Sequence, residues 1–215
     1  MGIEVISFDV DGTLVDPDYN DLIWQKAMPG LVAKKENINF DSALERVQKE
    51  YDIVGEKDIK WYDINYWIKY FDLNINHEEL LEKYADEIKV FPETYQVLEQ
   101  LFQGYKLICV SSMPREFLIP KLKRIRKYFN SIFSALSDYK QLKNKEVYQK
   151  VCLEINVLPD KVLHIGDSEK SDYIAAKDAG MKSLLIDRNK IGYHKNYSEM
   201  VINNLSEIFE KIEYL

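Results

Sequence analysis

Five short apolar runs separated by longer stretches constrain the fold of this chain more than any other feature. They are IEVISF (3–8), KLICV (106–110), SIFSA (131–135), KVLHI (161–165) and KSLLI (182–186). Each has the length of a buried strand, and the first stops abruptly at DVDG. Helix-period stretches at 93–103, 115–127, 144–155 and 171–179 separate most of them. Strands alternating with helices predict an α/β fold, a doubly wound parallel sheet covered on both faces. Gly104 and Gly180 stand just before strands, where helix C-caps belong. Residues 199–203 (EMVIN) predict an edge strand, and 205–213 a final helix.

Residues 17–89 break the rhythm. Helical periodicity runs over 19–34, 41–52, 58–71 and 78–87, and no segment reads as a strand. The division expected is a core of 1–16 and 90–215 and an inserted all-helical cap of 17–89, with Pro92 marking the return. A chain of 215 residues suits one core with a smaller insertion. The aromatics of the insertion, Trp24, Trp61, Tyr62, Tyr66, Trp67, Tyr70 and Phe71, read as its own core.

The bulk numbers narrow the partners. A net charge of −7 speaks against nucleic acid, whose phosphates demand clustered Lys and Arg. With 46% hydrophobic and 30% charged residues the chain is not a disordered one. Cys109 and Cys152 make no disulfide framework and no metal-binding CxxC pair. No apolar run reaches the length of a membrane span, and the start reads neither as a signal peptide nor as a myristoylation site. The expectation is a cytoplasmic protein with a small-molecule partner.

In a doubly wound sheet, ligands bind beyond the carboxyl ends of the strands. The first run ends in Asp9-Val10-Asp11-Gly12-Thr13, the second in Ser111-Ser112, and the fourth in Gly166-Asp167-Ser168, with Asp172 five residues beyond Asp167. Lys140, Lys143 and Lys145 follow the third. Carboxylates gathered on one rim repel one another unless a cation sits among them. Oxygen-only ligands suit Mg²⁺. A carboxylate can also attack phosphorus, while hydroxyls, backbone N–H groups and an ammonium take up the charge on the transferred oxygens. Asp9 and Asp11 are spaced to share one side, so one can attack while the other shuttles the proton.

These residues resemble a known family. DVDGTLVD (9–16) is similar to the first motif of the haloacid dehalogenase superfamily, and HIGDSEKSDYIAAKDAGM (164–181) to its fourth. The resemblance implies a Rossmann-like core and a Mg²⁺-dependent hydrolase acting on a small phosphomonoester through an aspartyl-phosphate. It makes Asp9 the nucleophile and a metal ligand. Asp11 becomes the acid/base, its carbonyl also on the metal, and Asp167 a further ligand, with Asp172 behind it. Ser111 and Ser112 stand at the phosphate-binding motif, where Ser-Ser replaces the more usual Thr-Asn. A lysine completes the set, and the spacing to Tyr148 favours Lys143 over Lys140 and Lys145. Members that dehalogenate typically lack the second motif aspartate, so Asp11 points to phosphoryl transfer. A sugar-phosphate mutase shares these residues, and a non-catalytic phosphoryl-binding protein shares the scaffold.

Several residues have plainer readings. Asp172 opens a helical stretch and could cap it; Ser112 could cap the helix after the second strand. His164 reads as a satisfied core histidine, and Arg46 and Arg115 as ion-paired surface residues. Asp16, Asp18 and Asp21 read as hinge and helix N-terminal residues.

Overall fold

The computed structural model describes residues 2–190, 192 and 199–214. Six parallel strands form one sheet: β1 (Val5–Phe8), β2 (Lys106–Ser111), β3 (Ser131–Ser134), β4 (Val162–Gly166), β5 (Lys182–Ile186) and β6 (Val201–Ile202). Their order is β3-β2-β1-β4-β5-β6, which makes β1 the switch point where the winding reverses. The two-residue β6 is shorter than 199–203 would give, and it pairs with Leu185 and Ile186 of β5.

Alternation along the strands sorts the core. Ile6, Phe8, Leu107, Cys109, Leu163 and Ile165 face one side, and Val5, Ile108, Val110 and Val162 the other. One polar row interrupts the second face: Ser7 is registered against His164, and His164 against Ser183, all buried.

Between β1 and β2 the named elements are helical. A long helix begins as α1 (Asp18–Asp21), widens into a π-helical stretch at Leu22–Ala27 and continues as α2 (Met28–Glu36). After it come α3 (Phe40–Val54), α4 (Ile64–Tyr70) and α5 (His77–Lys83). The 58–71 stretch, expected as one helix, divides into a 3₁₀ turn at Ile59–Tyr62 and α4. Asp63 splits it by accepting hydrogen bonds from the N–H groups of Asn65 and Tyr66, which starts a new helix there. The chain leaves and re-enters the sheet side by side. Val15 bridges Val90 antiparallel, Asp16 N–H donates to the Lys89 carbonyl at 2.8 Å, and Phe91 N–H to that of Leu14 at 3.0 Å.

The remaining helices are α6 (Thr94–Leu101), α7 (Arg115–Leu122), α8 (Ala135–Tyr139), α9 (Lys145–Glu154), α10 (Ala175–Asp178) and α11 (Ile208–Ile212). The helix expected over 115–127 stops at Leu122, and the chain passes through three-residue turns into Arg126–Tyr128. Of the two glycine caps, Gly180 takes the left-handed conformation (φ 91°), whereas Gly104 does not, because α6 ends earlier and a hydrogen-bonded turn intervenes. No described helix is long and apolar enough to cross a membrane.

Candidate active site

The rim above β1, β2 and β4 carries the residues singled out by the sequence. Asp9 follows β1 and is buried; Lys143, in the loop before α9, donates to its Oδ1 at 2.5 Å. The same ammonium donates to Oδ1 of the buried Asp172. Lys140 and Lys145 are exposed, Lys140 as the left-handed cap of α8, so of the three lysines Lys143 is the one that meets Asp9. Its backbone N–H is held by the Ser112 hydroxyl at 3.1 Å. Ser112 therefore ties the lysine loop to the second motif. It does not cap α7, whose first N–H, from Arg115, goes to the Ser137 hydroxyl at 3.0 Å. Ser111 is buried, and its oxygen accepts from Met113 N–H at 3.2 Å, leaving its own hydrogen to donate.

Asp172 rides on a second π-helical stretch, Glu169–Ile174. Ser168 caps that helix by accepting from Ser171 N–H, and Asp172 reaches back to accept from Ser168 N–H at 2.9 Å. This reciprocal pair is a widened capping box, so Asp172 serves the helix end and the site together. Beneath it, His164 is fully buried and partnered by Ser7 Oγ at Nδ1 (2.8 Å) and by Tyr148 and Asp172 at Nε2 (2.9 and 3.0 Å).

One carboxylate oxygen each from Asp9, Asp167 and Asp172 lies within 4.8 Å of the others. Their crowding shows in the proton affinities. Loss of water pushes Asp9 up to about 8; Lys143 opposes this, while Asp172 and Asp167 reinforce it. Asp167 stands at the cavity edge, yet surrounding protein and then Asp172 push it up to about 6. Burial works against the charge of Asp172, but Lys143 and His164 outweigh it and hold its carboxyl below the usual range. Burial likewise opposes the Lys143 ammonium, and Asp172 and Asp9 overcome that and push it up. One lysine among three carboxylates leaves negative charge over, and the donor set is oxygen only. It therefore fits a hard divalent cation such as Mg²⁺ better than one preferring nitrogen or sulfur.

Two glycines make the crowding sterically feasible. A Cβ on Gly12 (φ 70°) would fall 2.2 Å from Asp167 Oδ2, and one on Gly166 would fall 2.2 Å from Asp172 Cγ.

Asp11 points away from this cluster. Its Oδ2 accepts from Asn20 Nδ2 at 2.5 Å and its Oδ1 from Lys121, whose side chain is fully buried. Sequence reasoning missed both partners. The signal for Lys121 was present: with Phe117, Leu118 and Leu122 it falls on the buried face of α7, a lysine within an apolar stripe. Arg188, also missed, donates to the carbonyls of Gly12 (3.0 Å) and Thr13 (2.6 Å), pairs with Glu93 and covers the Phe91 ring, so it clamps the first-motif turn. Arg46 pairs with Glu36 and Arg115 with Asp138, as expected of surface arginines.

A cavity of about 420 Å³ lies above these groups. Its floor includes Asp9, Asp11, Ser111, Lys143 and Asp167; from the helical insertion come Trp24, Tyr51, Trp61 and Tyr62. Trp67 and Phe71 are buried as expected, but Trp24, Trp61 and Tyr62 are only half-buried and face the cavity as well as the packing around them. Asp21 lines the cavity too, beyond the helix-end role read from its position.

Residues 3–180 match the family model of haloacid dehalogenase-like hydrolases. The chain belongs to that family. Among its relatives is PpaX of Clostridium perfringens, which carries the name of a pyrophosphatase: it is 30% identical, over 99% of both chains. The glyceraldehyde 3-phosphate phosphatase of Pyrococcus furiosus is 23% identical, over 98% of this chain and 93% of its own. Among solved structures, a haloacid dehalogenase-type phosphatase from Thermococcus onnurineus superposes with a TM-score of 0.83 at 30% identity, over 97% of each chain. The haloacid dehalogenase-like core is therefore the fold of this chain, with the sheet and the helices on both its faces.

Proposed function

We propose that this protein is a Mg²⁺-dependent phosphomonoester hydrolase with Asp9 as nucleophile. The observation that carries the reading is the convergence of Asp9, Lys143, Asp167 and Asp172 at the floor of one cavity, with Asp11 held apart from them. Asp9 and Asp167, with the Asp11 carbonyl, would hold the ion, and Asp172 would steady Lys143. The ion would neutralise the crowded carboxylates and polarise the phosphoryl oxygens.

The remaining chemistry belongs to the side chains. A carboxylate oxygen of Asp9 attacks phosphorus while the ester P–O bond breaks, and Asp11 gives the departing oxygen its proton. Water then attacks the aspartyl-phosphate and passes a proton to Asp11, and Asp9 is released. Ser111 donates to the transferred oxygens and Lys143 balances their charge. Asp11 distinguishes this site from a dehalogenating one, whose halide leaving group needs no proton. Residues 17–89 serve as a cap that excludes water and meets the alcohol part of the ester.

The test is phosphate release from p-nitrophenyl phosphate with and without Mg²⁺, for the wild type and Asp9→Asn. Metal-dependent turnover that vanishes in Asp9→Asn, with circular dichroism unchanged, is the expected result. A fully active Asp9→Asn variant, or no metal-dependent turnover on any phosphate ester, would overturn the reading. Release of free phosphate also separates hydrolysis from a mutase, which returns the phosphoryl group to a sugar.

A further inference from the structure

The charge of the cavity is one-sided. Among the described residues, five aspartates line it (Asp9, Asp11, Asp21, Asp167 and Asp172) against one lysine, and that lysine is committed to Asp9 and Asp172. Lys121 lies beneath Asp11 and outside the lining; Arg46 and Arg115 lie elsewhere, paired with acids. The positive charge is thus confined to the floor, where a phosphoryl group sits. Toward the alcohol part of an ester the described residues of the lining offer the carboxylate of Asp21 and no cation. A second anionic group on the substrate would lose its water there without gaining a partner.

What the walls do offer is a braced aromatic surface. Trp24 lies against Phe117 nearly parallel, with 5.4 Å between ring centres and 23° between planes. Tyr51 meets Trp24 edge-on at 5.8 Å and Trp61 at 6.5 Å, and Trp61 meets Tyr62 at 4.8 Å. Each ring fixes the plane of the next, so the wall is preorganised for a flat ligand. The π-helical stretch that interrupts the first long helix carries Trp24, and such widened turns gather at functional sites. Two polar atoms complete the picture. Tyr51 is 6% exposed, yet among the described residues its hydroxyl has no hydrogen-bond partner, and neither has the buried Oδ1 of Asn20; both residues line the cavity. Orphaned buried polar atoms are rare in a settled core and fit groups awaiting a ligand.

Building on the phosphatase reading above, we infer that the alcohol part of the substrate is uncharged and planar, a nucleoside or comparable heteroaromatic. Esters bearing a second anion are discriminated against. The ring packs on the Trp24–Trp61 wall, and its polar edge meets Tyr51 and Asn20.

The test measures phosphate release by the full chain with Mg²⁺ on inosine 5′-monophosphate, pyridoxal 5′-phosphate, glycerol 3-phosphate, phosphoglycolate and pyrophosphate. A planar ester is expected to exceed glycerol 3-phosphate in kcat/KM on the order of 10–100-fold, the range that stacking on aromatic rings supplies. Phosphoglycolate and pyrophosphate should fall below glycerol 3-phosphate. Trp24→Leu and, independently, Trp61→Leu should each shrink the planar-to-glycerol ratio roughly ten-fold. Preference for phosphoglycolate, pyrophosphate or glycerol 3-phosphate in the wild type would overturn this inference and leave the phosphatase reading standing. Failure of metal-dependent release from all five and from p-nitrophenyl phosphate would bring down both.

Discussion

Lys121 donates to Oδ1 of Asp11 from a position 110 residues further along the chain, with its side chain fully buried. Burial lowers the pKa of this ammonium, against the pull of Asp11, and the ring of Tyr19 lies 5.6 Å from it. Placing a cation there is costly, and the acid it pairs with among the described residues is the proposed acid/base. With Asn20 on the other oxygen, the Asp11 carboxylate is held at both ends. Lys121 is therefore a positioning residue. Lys121→Met, which keeps the volume, should lower kcat roughly 10–100-fold, the scale of a misplaced catalytic group. In an Asp11→Asn background the same change should cost almost nothing further, because the group it positions is gone. Equal losses in both backgrounds, read from steady-state kcat, would contradict the role.

Metal binding should depend on pH with a definite sign. In the ion-free protein Asp9 and Asp167 hold protons up to about 8 and about 6, which a divalent ion must displace. Mg²⁺ affinity should therefore rise from pH 5 and level off above about 8, with net proton release when titrated calorimetrically in buffers of differing ionisation enthalpy. Stability follows the same groups. Because these two carboxyls bind protons more tightly folded than unfolded, their contribution is present below about pH 4 and is lost as pH rises toward 8. Asp172, depressed by Lys143 and His164, contributes in the opposite sense, present above pH 3.8. Added Mg²⁺ should then raise Tm more at pH 8 than at pH 5.5; an equal shift at both would refute the account.

How much of this was written in the chain depends on the range of the interaction. Strands β1 to β5 were legible because a parallel strand buries both faces and reads as an unbroken apolar run. Asp9, Asp11 and Asp167 were legible because strand-end position brings them to one rim, and Asp172 because it follows Asp167 by five residues in the fourth motif. The spacing to Tyr148 favoured Lys143 over Lys140 and Lys145, and the loop after α8 accounts for it by turning Lys143 inward and leaving the other two exposed. Asn20 and Arg188 reach their partners only through tertiary packing, so nothing local announced them. The aromatics of the insertion share one helical period whether they pack or line a wall; Trp67 and Trp24 differ only in what lies opposite.

Gly166→Ala should damage the site through a single methyl. Its Cβ would overlap Asp172, with Cγ at 2.2 Å and Cβ at 2.5 Å, and Asp172 is pinned by Ser168 N–H, His164 and Lys143. Overpacking of this kind costs about 1–3 kcal/mol. For a chain of this size that corresponds to a Tm lower by roughly 2–12 °C. Displacing Asp172 also moves Lys143, so kcat should fall by about 100-fold. Thermal unfolding and kcat measured together check the coupling; a drop in Tm with unchanged turnover would show that Asp172 does not steer the lysine.

The three lysines after β3 provide the last comparison. Lys143→Met removes the cation between Asp9 and Asp172 and leaves two buried carboxyls facing each other. Breaking a buried pair in this way costs about 3–5 kcal/mol when the surviving charge cannot be neutralised. At low pH Asp9 already carries a proton and Asp172, no longer held ionised by Lys143, can take one up as well, so the loss in Tm should be smaller near pH 5.5 than near pH 8.5. Mg²⁺ should restore part of the stability at the higher pH, because an ion supplies the missing charge, but not the turnover, because the transferred phosphoryl group still lacks its ammonium. Lys140→Met and Lys145→Met, both exposed, should keep Tm and kcat within about two-fold or 0.5 kcal/mol of the wild type. A Lys143→Met variant that hydrolyses esters at the wild-type rate would remove this lysine from the site, whatever its distance from Asp9.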